Sequence, residues 1–180
     1  MPTDESLMLA VAGGELQQLA ELYQRYRRPL FGFLRNRGND AATAEDLLQA
    51  TFERALRYRT SFRAEATFKS WIFTIARNLH ADHYRRGTRQ PTTEVTERAL
   101  HLSVPAADLA WEDRETADQL RAAVAALPPA YREVVELAWR RGLKYAEIAR
   151  VLNLSEANVK VRVHRATKRL RLHYAKLNRL

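Results

Sequence analysis

Two pairs of side chains have the types and spacing that chemistry on a small substrate would need. His80 and His83 stand three residues apart, a spacing that can chelate a metal ion, and Glu45-Asp46 sets two carboxylates side by side. Neither pair grows into a site. No third ligand at matched spacing joins the histidines, so two surface histidines are the simpler reading. No nucleophile and no phosphate-binding glycine loop accompanies the carboxylates, which suit the first turn of a helix, where negative charge complements the dipole. There is no Ser-His-Asp candidate. Cysteine is absent, so the chain offers neither a disulfide framework nor a thiolate metal site. The expectation is a protein without catalytic residues, metal or cofactor, and not an enzyme.

Two longer stretches have side chains suited to a polyanion. The first runs from Tyr145 to Arg169. A short apolar-periodic segment, Tyr145–Leu152, is followed by Asn153-Leu154-Ser155 and a second periodic segment. That is the outline of a helix-turn-helix. Ala149 is small where two helices must cross closely, and Ile148, Leu152, Leu154, Val159 and Val163 would fill the shared core. Asn153 tolerates the left-handed conformation of the turn, and Ser155 is a good N-cap. At 100° per residue, Val159, Val163, Ala166 and Leu170 share an inward face. Ala157, Val161, His164, Arg165 and Lys168 lie opposite, flanked by Asn158, Lys160 and Arg162. Cations around short side chains suit a major groove: the charges hold phosphates while the small residues approach base edges. A solvated basic helix would explain the charge alone; the turn and core pattern favour DNA.

The second stretch is Phe68–Arg86. Phe68, Ile72, Ile75, Ala76 and Leu79 form one stripe, and Phe73, Arg77, His80 and Tyr84 form another. Aromatic rings interleaved with cations suit unpaired bases, which stack on the rings while arginine holds the backbone. A helix packed on two sides, with Phe73 and Tyr84 inside a small bundle, explains the spacing equally well.

These stretches need helices to position them, and the rest of the sequence supplies helical signals. Leu16, Leu19, Leu22, Tyr23, Tyr26, Leu30, Phe33 and Leu34 recur at threes and fours, predicting a helix over 15–37 in which Pro29 forces a kink or break. Gly38-Asn39-Asp40 is a turn signal, and a second helix follows over 41–58. Residues 59–66 read as a loop, and a third helix over 67–86 should end at Gly87. Apolar periodicity fades over 87–111, where Pro91 and Pro105 occur, marking a flexible linker. Helical patterning resumes over 111–126 and again from Pro129 to Arg141, ending at Gly142. No stretch alternates as a strand does. The expected fold is all-α: two small helical domains, 10–86 and 112–176, joined by the linker 87–111, the second a helix-turn-helix.

Charge agrees with this division. The 180 residues carry 30 basic and 21 acidic side chains, a net +9. Residues 113–180 hold 15 of the basic and 7 of the acidic groups, so most of the excess lies in the second domain. A nucleic acid is the default partner for such a surface. The N-terminal stretch lacks the basic start of a signal peptide, and the apolar runs are far too short to span a membrane. A cytoplasmic protein without membrane insertion is expected.

Three segments, in order, resemble the RNA polymerase sigma factors of the extracytoplasmic-function group. Ala44–Leu56 (AEDLLQATFERAL) resembles their polymerase-binding helix. Phe68–Leu79 (FKSWIFTIARNL) with Asp82–Arg86 (DHYRR) resembles their promoter-melting segment. Leu127–Arg169 resembles their C-terminal DNA-binding domain. The resemblance covers about residues 10–175. It implies a transcription initiation factor whose partners are core RNA polymerase, promoter DNA and an anti-sigma factor. It also implies that Asp46, Leu47, Gln49 and Phe52 contact the polymerase. By the same likeness the loop at 59–66 with Trp71, Phe73, Arg77, Asn78, Tyr84 and Arg85 opens and holds the −10 element. Ser155, Asn158, Lys160, Arg162 and Arg165 would engage the −35 element. Ala50 departs from the pattern where an acidic residue is frequent, and Asn153 replaces the usual turn glycine. The competing expectation is a helix-turn-helix regulator that acts without replacing the sigma subunit.

Overall fold

A computed structural model of the chain describes residues 1–63, 65–89, 120 and 122–177. Every regular element among the described residues is helical. The chain divides into two compact units, residues 1–101 and 102–180.

The first unit contains α1 (Asp4–Ala12), α2 (Gln18–Arg35), α3 (Ala41–Arg57), a single 3₁₀ turn (Arg59–Ser61) and α4 (Phe68–Arg89). Local chemistry starts and stops these helices. Thr3 Oγ1 accepts the N–H of Ser6 at 3.1 Å and caps α1. Asp40 caps α3 by accepting the N–H of Thr43 at 2.7 Å, a bond that holds its carboxyl below the usual carboxylate range. Gly38 makes the turn before it at a φ of 88°, where a side chain would be strained. The core is built from Met8, Val11, Leu22, Leu30, Leu34, Phe33, Phe68, Ile72 and Phe73, all fully buried. Each such side chain contributes about 1.5–3 kcal/mol through removal from water.

Four features depart from the sequence pattern. Helix α1 is unmarked in the sequence, because nine residues with one apolar stripe (Leu7, Met8, Val11) form a helix only when packed. Pro29 lies inside α2, yet that helix is unbroken. Leu22 and Tyr26 before the proline and Leu30, Phe33 and Leu34 after it are anchored in one core, which outweighs one lost backbone hydrogen bond. Gly87 does not end α4, which runs on to Arg89; mid-helix glycine costs only about 1 kcal/mol relative to alanine. Leu16, expected on the stripe of α2, precedes that helix and is exposed.

The second unit contains α5 (Pro129–Val135), a π-helical turn (Glu136–Arg140), α6 (Tyr145–Leu152) and α7 (Glu156–Leu177). Residues 120 and 122–125 are also helical. The linker expected over 87–111 lies, beyond Arg89, outside the described residues, as does most of the helix expected over 111–126.

The π turn replaces the regular helix expected up to Arg141. Its wider ladder lets the Arg141 N–H donate to the Glu136 carbonyl at 3.1 Å. The Arg141 guanidinium then returns to the buried Glu136 carboxylate, donating from Nη2 at 2.6 Å and from Nε at 2.9 Å. Burial lowers the Arg141 guanidinium from its ordinary range, and the Glu136 charge opposes that shift. In the same unit, Val134, Leu137, Ile148, Val159 and Ala166 are fully buried.

Candidate nucleic-acid interface

Helix α7 is positioned by the tight turn before it. Asn153 takes the left-handed conformation (φ 54°, ψ 53°) and closes α6. Lys144 N–H donates to the Glu147 carboxylate at 2.7 Å and fixes the start of α6. Ser155 Oγ accepts the N–H of Asn158 at 3.2 Å and caps α7. Val159, Val163, Ala166 and Leu170 are buried, as the phasing predicts. Leu154, expected in the shared core, is half-buried.

The opposite face is open. Ala157, Lys160, Val161, His164, Arg165 and Lys168 are exposed. Val161 stands 47% exposed among them, an apolar side chain with no core to fill. Lys160 pairs with Glu156 at 2.9 Å, and Arg162 Nε donates to Asn158 Oδ1 at 2.9 Å. These i, i+4 contacts are weak in water and readily exchanged for phosphate contacts. Arg169 lies over the Tyr131 ring at 5.3 Å and braces α7 against α5. Arg132, which carried no signal in the sequence, donates to the carbonyls of Ala125 (2.6 Å) and Leu127 (2.9 Å) and satisfies the end of the preceding helix.

Helix α4 presents a different surface. Its start is an aromatic cluster: Phe62 packs edge-on to Trp71 at 5.4 Å, and Phe68 packs against Tyr26 at 5.1 Å. Trp71 is half-buried in this cluster. Phe73 corrects the sequence reading. It is 0% exposed and packs edge-on to Phe33 at 5.0 Å, so its ring belongs to the core and offers no face to a base. Tyr84, on the same sequence stripe, is 66% exposed. Asn78 and Arg85 are also exposed and Arg77 half-buried. Arg85 bonds to Asp82, whose carboxyl that pairing holds low, and Asp82 also faces Arg54 of α3 at 3.7 Å. His80 is half-buried and His83 exposed. Among the described residues no three metal-ligating side chains come together.

The residues expected to meet the polymerase divide in the same way. Asp46 and Gln49 are exposed on α3, and Gln49 Nε2 donates to Glu53 at 3.2 Å. Leu47 and Phe52 are only 6% and 7% exposed, and Phe52 packs edge-on to Tyr23 at 4.9 Å. These two support the helix from inside the bundle, and a free face for contact lies with Asp46 and Gln49.

An exposed basic helix face behind a tight turn, in one unit, and a helical bundle with an exposed tyrosine, in the other, are surfaces suited to nucleic acid. Comparison with known proteins gives the family. Residues 22–90 match the model for sigma-70 region 2, and residues 117–170 match that for sigma-70 region 4. The chain is 33% identical over 155 residues to the ECF RNA polymerase sigma factor SigM of Bacillus subtilis, covering 86% of this chain and 93% of the relative. It is 34% identical over 158 residues to the ECF RNA polymerase sigma factor RpoE of Cereibacter sphaeroides, covering 86% and 84%. The fold is shared with the sigma factor RpoE of Bartonella quintana, solved in complex with the anti-sigma factor NepR. That likeness has a TM-score of 0.69 at 24% identity, over 88% of this chain and 98% of the other.

The chain belongs to the ECF group of the sigma-70 family. It is a sigma factor that directs promoter-specific transcription initiation by RNA polymerase. Among its described residues no helix is long and apolar enough to cross a membrane.

Proposed function

We propose that the two units divide promoter recognition between them. Residues 10–86 bind core polymerase through Asp46 and Gln49 and hold the opened −10 element on α4. Residues 112–176 grip the duplex −35 element with α7, and 87–111 serve as the link. Ser155, Asn158, Lys160, Arg162 and Arg165 face the −35 DNA, phosphates taking the cations and base edges the shorter side chains. Trp71, Arg77, Asn78, Tyr84 and Arg85 face the −10 strand. A flipped base stacks against an aromatic ring, which offsets the energy of unstacking it. The protein performs no bond chemistry; the polymerase does.

The observation that carries this reading is the open, basic face of α7 behind the left-handed turn at Asn153. An anti-sigma protein is proposed to hold the chain inactive in the cytoplasm, by analogy with the complex solved for the Bartonella quintana relative.

The test is reconstitution with core polymerase on promoters in which the −35 or the −10 element is scrambled separately. Loss of duplex retention from the first change and loss of strand opening from the second are expected. Regulation of a promoter served by another sigma subunit, without specific initiation by this chain, would return the regulator reading.

A further inference from the structure

We propose that α1 is a clasp that sets the start of the promoter-opening helix, with Glu5 as its positioning residue. The proposal rests on the reading of α4 as the opening element.

Two adjacent carboxylates on α1 reach Phe68 of α4, Glu5 directly and Asp4 through Tyr26 of α2. Glu5 Oε1 accepts the backbone N–H of Phe68, the first residue of α4, at 2.9 Å across 63 positions of sequence. Asp4 Oδ2 accepts the Tyr26 hydroxyl at 2.5 Å, and the Tyr26 ring packs edge-on to Phe68. Asp4 Oδ1 also accepts from Arg25 Nη1 at 2.7 Å, tying α1 to α2. The first turn of α4 is thus capped twice. Thr67 Oγ1 takes the Ser70 N–H from within the chain at 3.3 Å, and Glu5 takes the Phe68 N–H from outside it.

The arrangement reaches the proposed DNA-facing segment directly. Helix α1 packs against α2, α4 and the Arg59–Ser61 turn. Phe68 touches both Phe62 of the 59–66 loop and Trp71 of α4. Fixing Phe68 therefore fixes the ring cluster from which the loop and the exposed side of α4 diverge. A flipped base needs a pocket already in place, since ordering it on binding would subtract from the gain of stacking. A carboxylate on a helix N-terminus also adds favourable charge there.

The experiment compares full-length Glu5→Ala, Glu5→Gln and Tyr84→Ala in reconstituted holoenzyme. Core-polymerase affinity, −35 duplex binding and permanganate reactivity of −10 thymines are measured side by side. Glu5→Ala should slow opening about fivefold, the effect of losing one helix cap, with core affinity and duplex binding unchanged. Glu5→Gln keeps an acceptor oxygen and should recover opening to within about twofold, since only the charge is lost. Opening that falls in step with core affinity would mean general loosening of the unit and overturn the positioning role. So would a Glu5→Gln variant as slow as Glu5→Ala. Normal opening by Glu5→Ala with impaired Tyr84→Ala removes the clasp and leaves the reading of α4 standing. Normal opening by both removes that reading, and the clasp with it.

Discussion

Helices α4 and α7 are each 22 residues long and both basic, yet they use their apolar residues differently. Over 156–172, helix α7 buries one narrow stripe of small and branched side chains and leaves most of the others exposed. Helix α4 is packed by α1, α2 and α3, and it buries Phe68, Ser70, Ile72, Phe73 and Ala76 around much of its first half. Its open side chains, Asn78, Tyr84 and Arg85, lie farther along. A helix packed on one side declares its free face through its periodicity. A helix packed on several sides does not, because a second apolar stripe reads the same whether it meets a neighbour or a ligand.

The sharpest way to break this contrast is Phe73→Ala. As a core residue, Phe73 should lower the stability of the first unit by about 3–5 kcal/mol, through lost burial and a cavity. Chemical denaturation followed by circular dichroism measures it. Unchanged stability with a loss confined to strand opening would put Phe73 back on the DNA-facing side.

Arg141→Ala makes the corresponding test in the second unit. It leaves the Glu136 carboxylate buried without its main partner, and removing one member of such a pair costs about 3–5 kcal/mol. Melting of the second unit and loss of −35 binding should coincide, with core-polymerase affinity retained.

Tyr84→Ala separates the two surfaces by function. Losing one base–aromatic stack should impair opening by about 1–3 kcal/mol and leave duplex −35 binding nearly unchanged. Permanganate footprinting beside a duplex-binding titration gives both numbers. Duplex binding that falls as much as opening would merge the two surfaces into one.

The smallest effect is expected from Arg165→Ala on the open face of α7. Affinity for the −35 duplex should drop by a modest factor, and the slope of log affinity against log salt should flatten by about one unit. An unchanged slope would mean that Arg165 faces solvent in the complex.

The helix-turn-helix was legible because its requirements are local. Tyr145–Leu152 matches the expected helix residue for residue, Asn153 occupies the left-handed turn, and Ser155 caps the next helix. The burial of Val159, Val163, Ala166 and Leu170 follows from phase alone. The existence of α2, α3 and α4 was equally plain from their apolar spacing, though not the behaviour of Pro29 and Gly87 within them. The exposure of the candidate residues on the first unit was half legible. Asp46, Gln49, Asn78, Tyr84 and Arg85 are open as expected, while Leu47, Phe52 and Phe73 are interior.

By itself, then, the sequence determined an all-helical chain, its turn chemistry, the inward stripe of each one-sided helix and the concentration of positive charge in the last third. These depend on interactions between residues a few positions apart, which spacing records. Only the tertiary structure decided that Phe73 is core while Tyr84 of the same stripe is exposed, that Glu5 reaches Phe68, that α1 forms at all and that Glu136 holds Arg141 across a π turn. The bond from Glu5 to Phe68 spans 63 positions and belongs to packing, for which a single sequence has no period. The others turn on neighbours and burial, and a residue's own spacing does not reveal what packs against it.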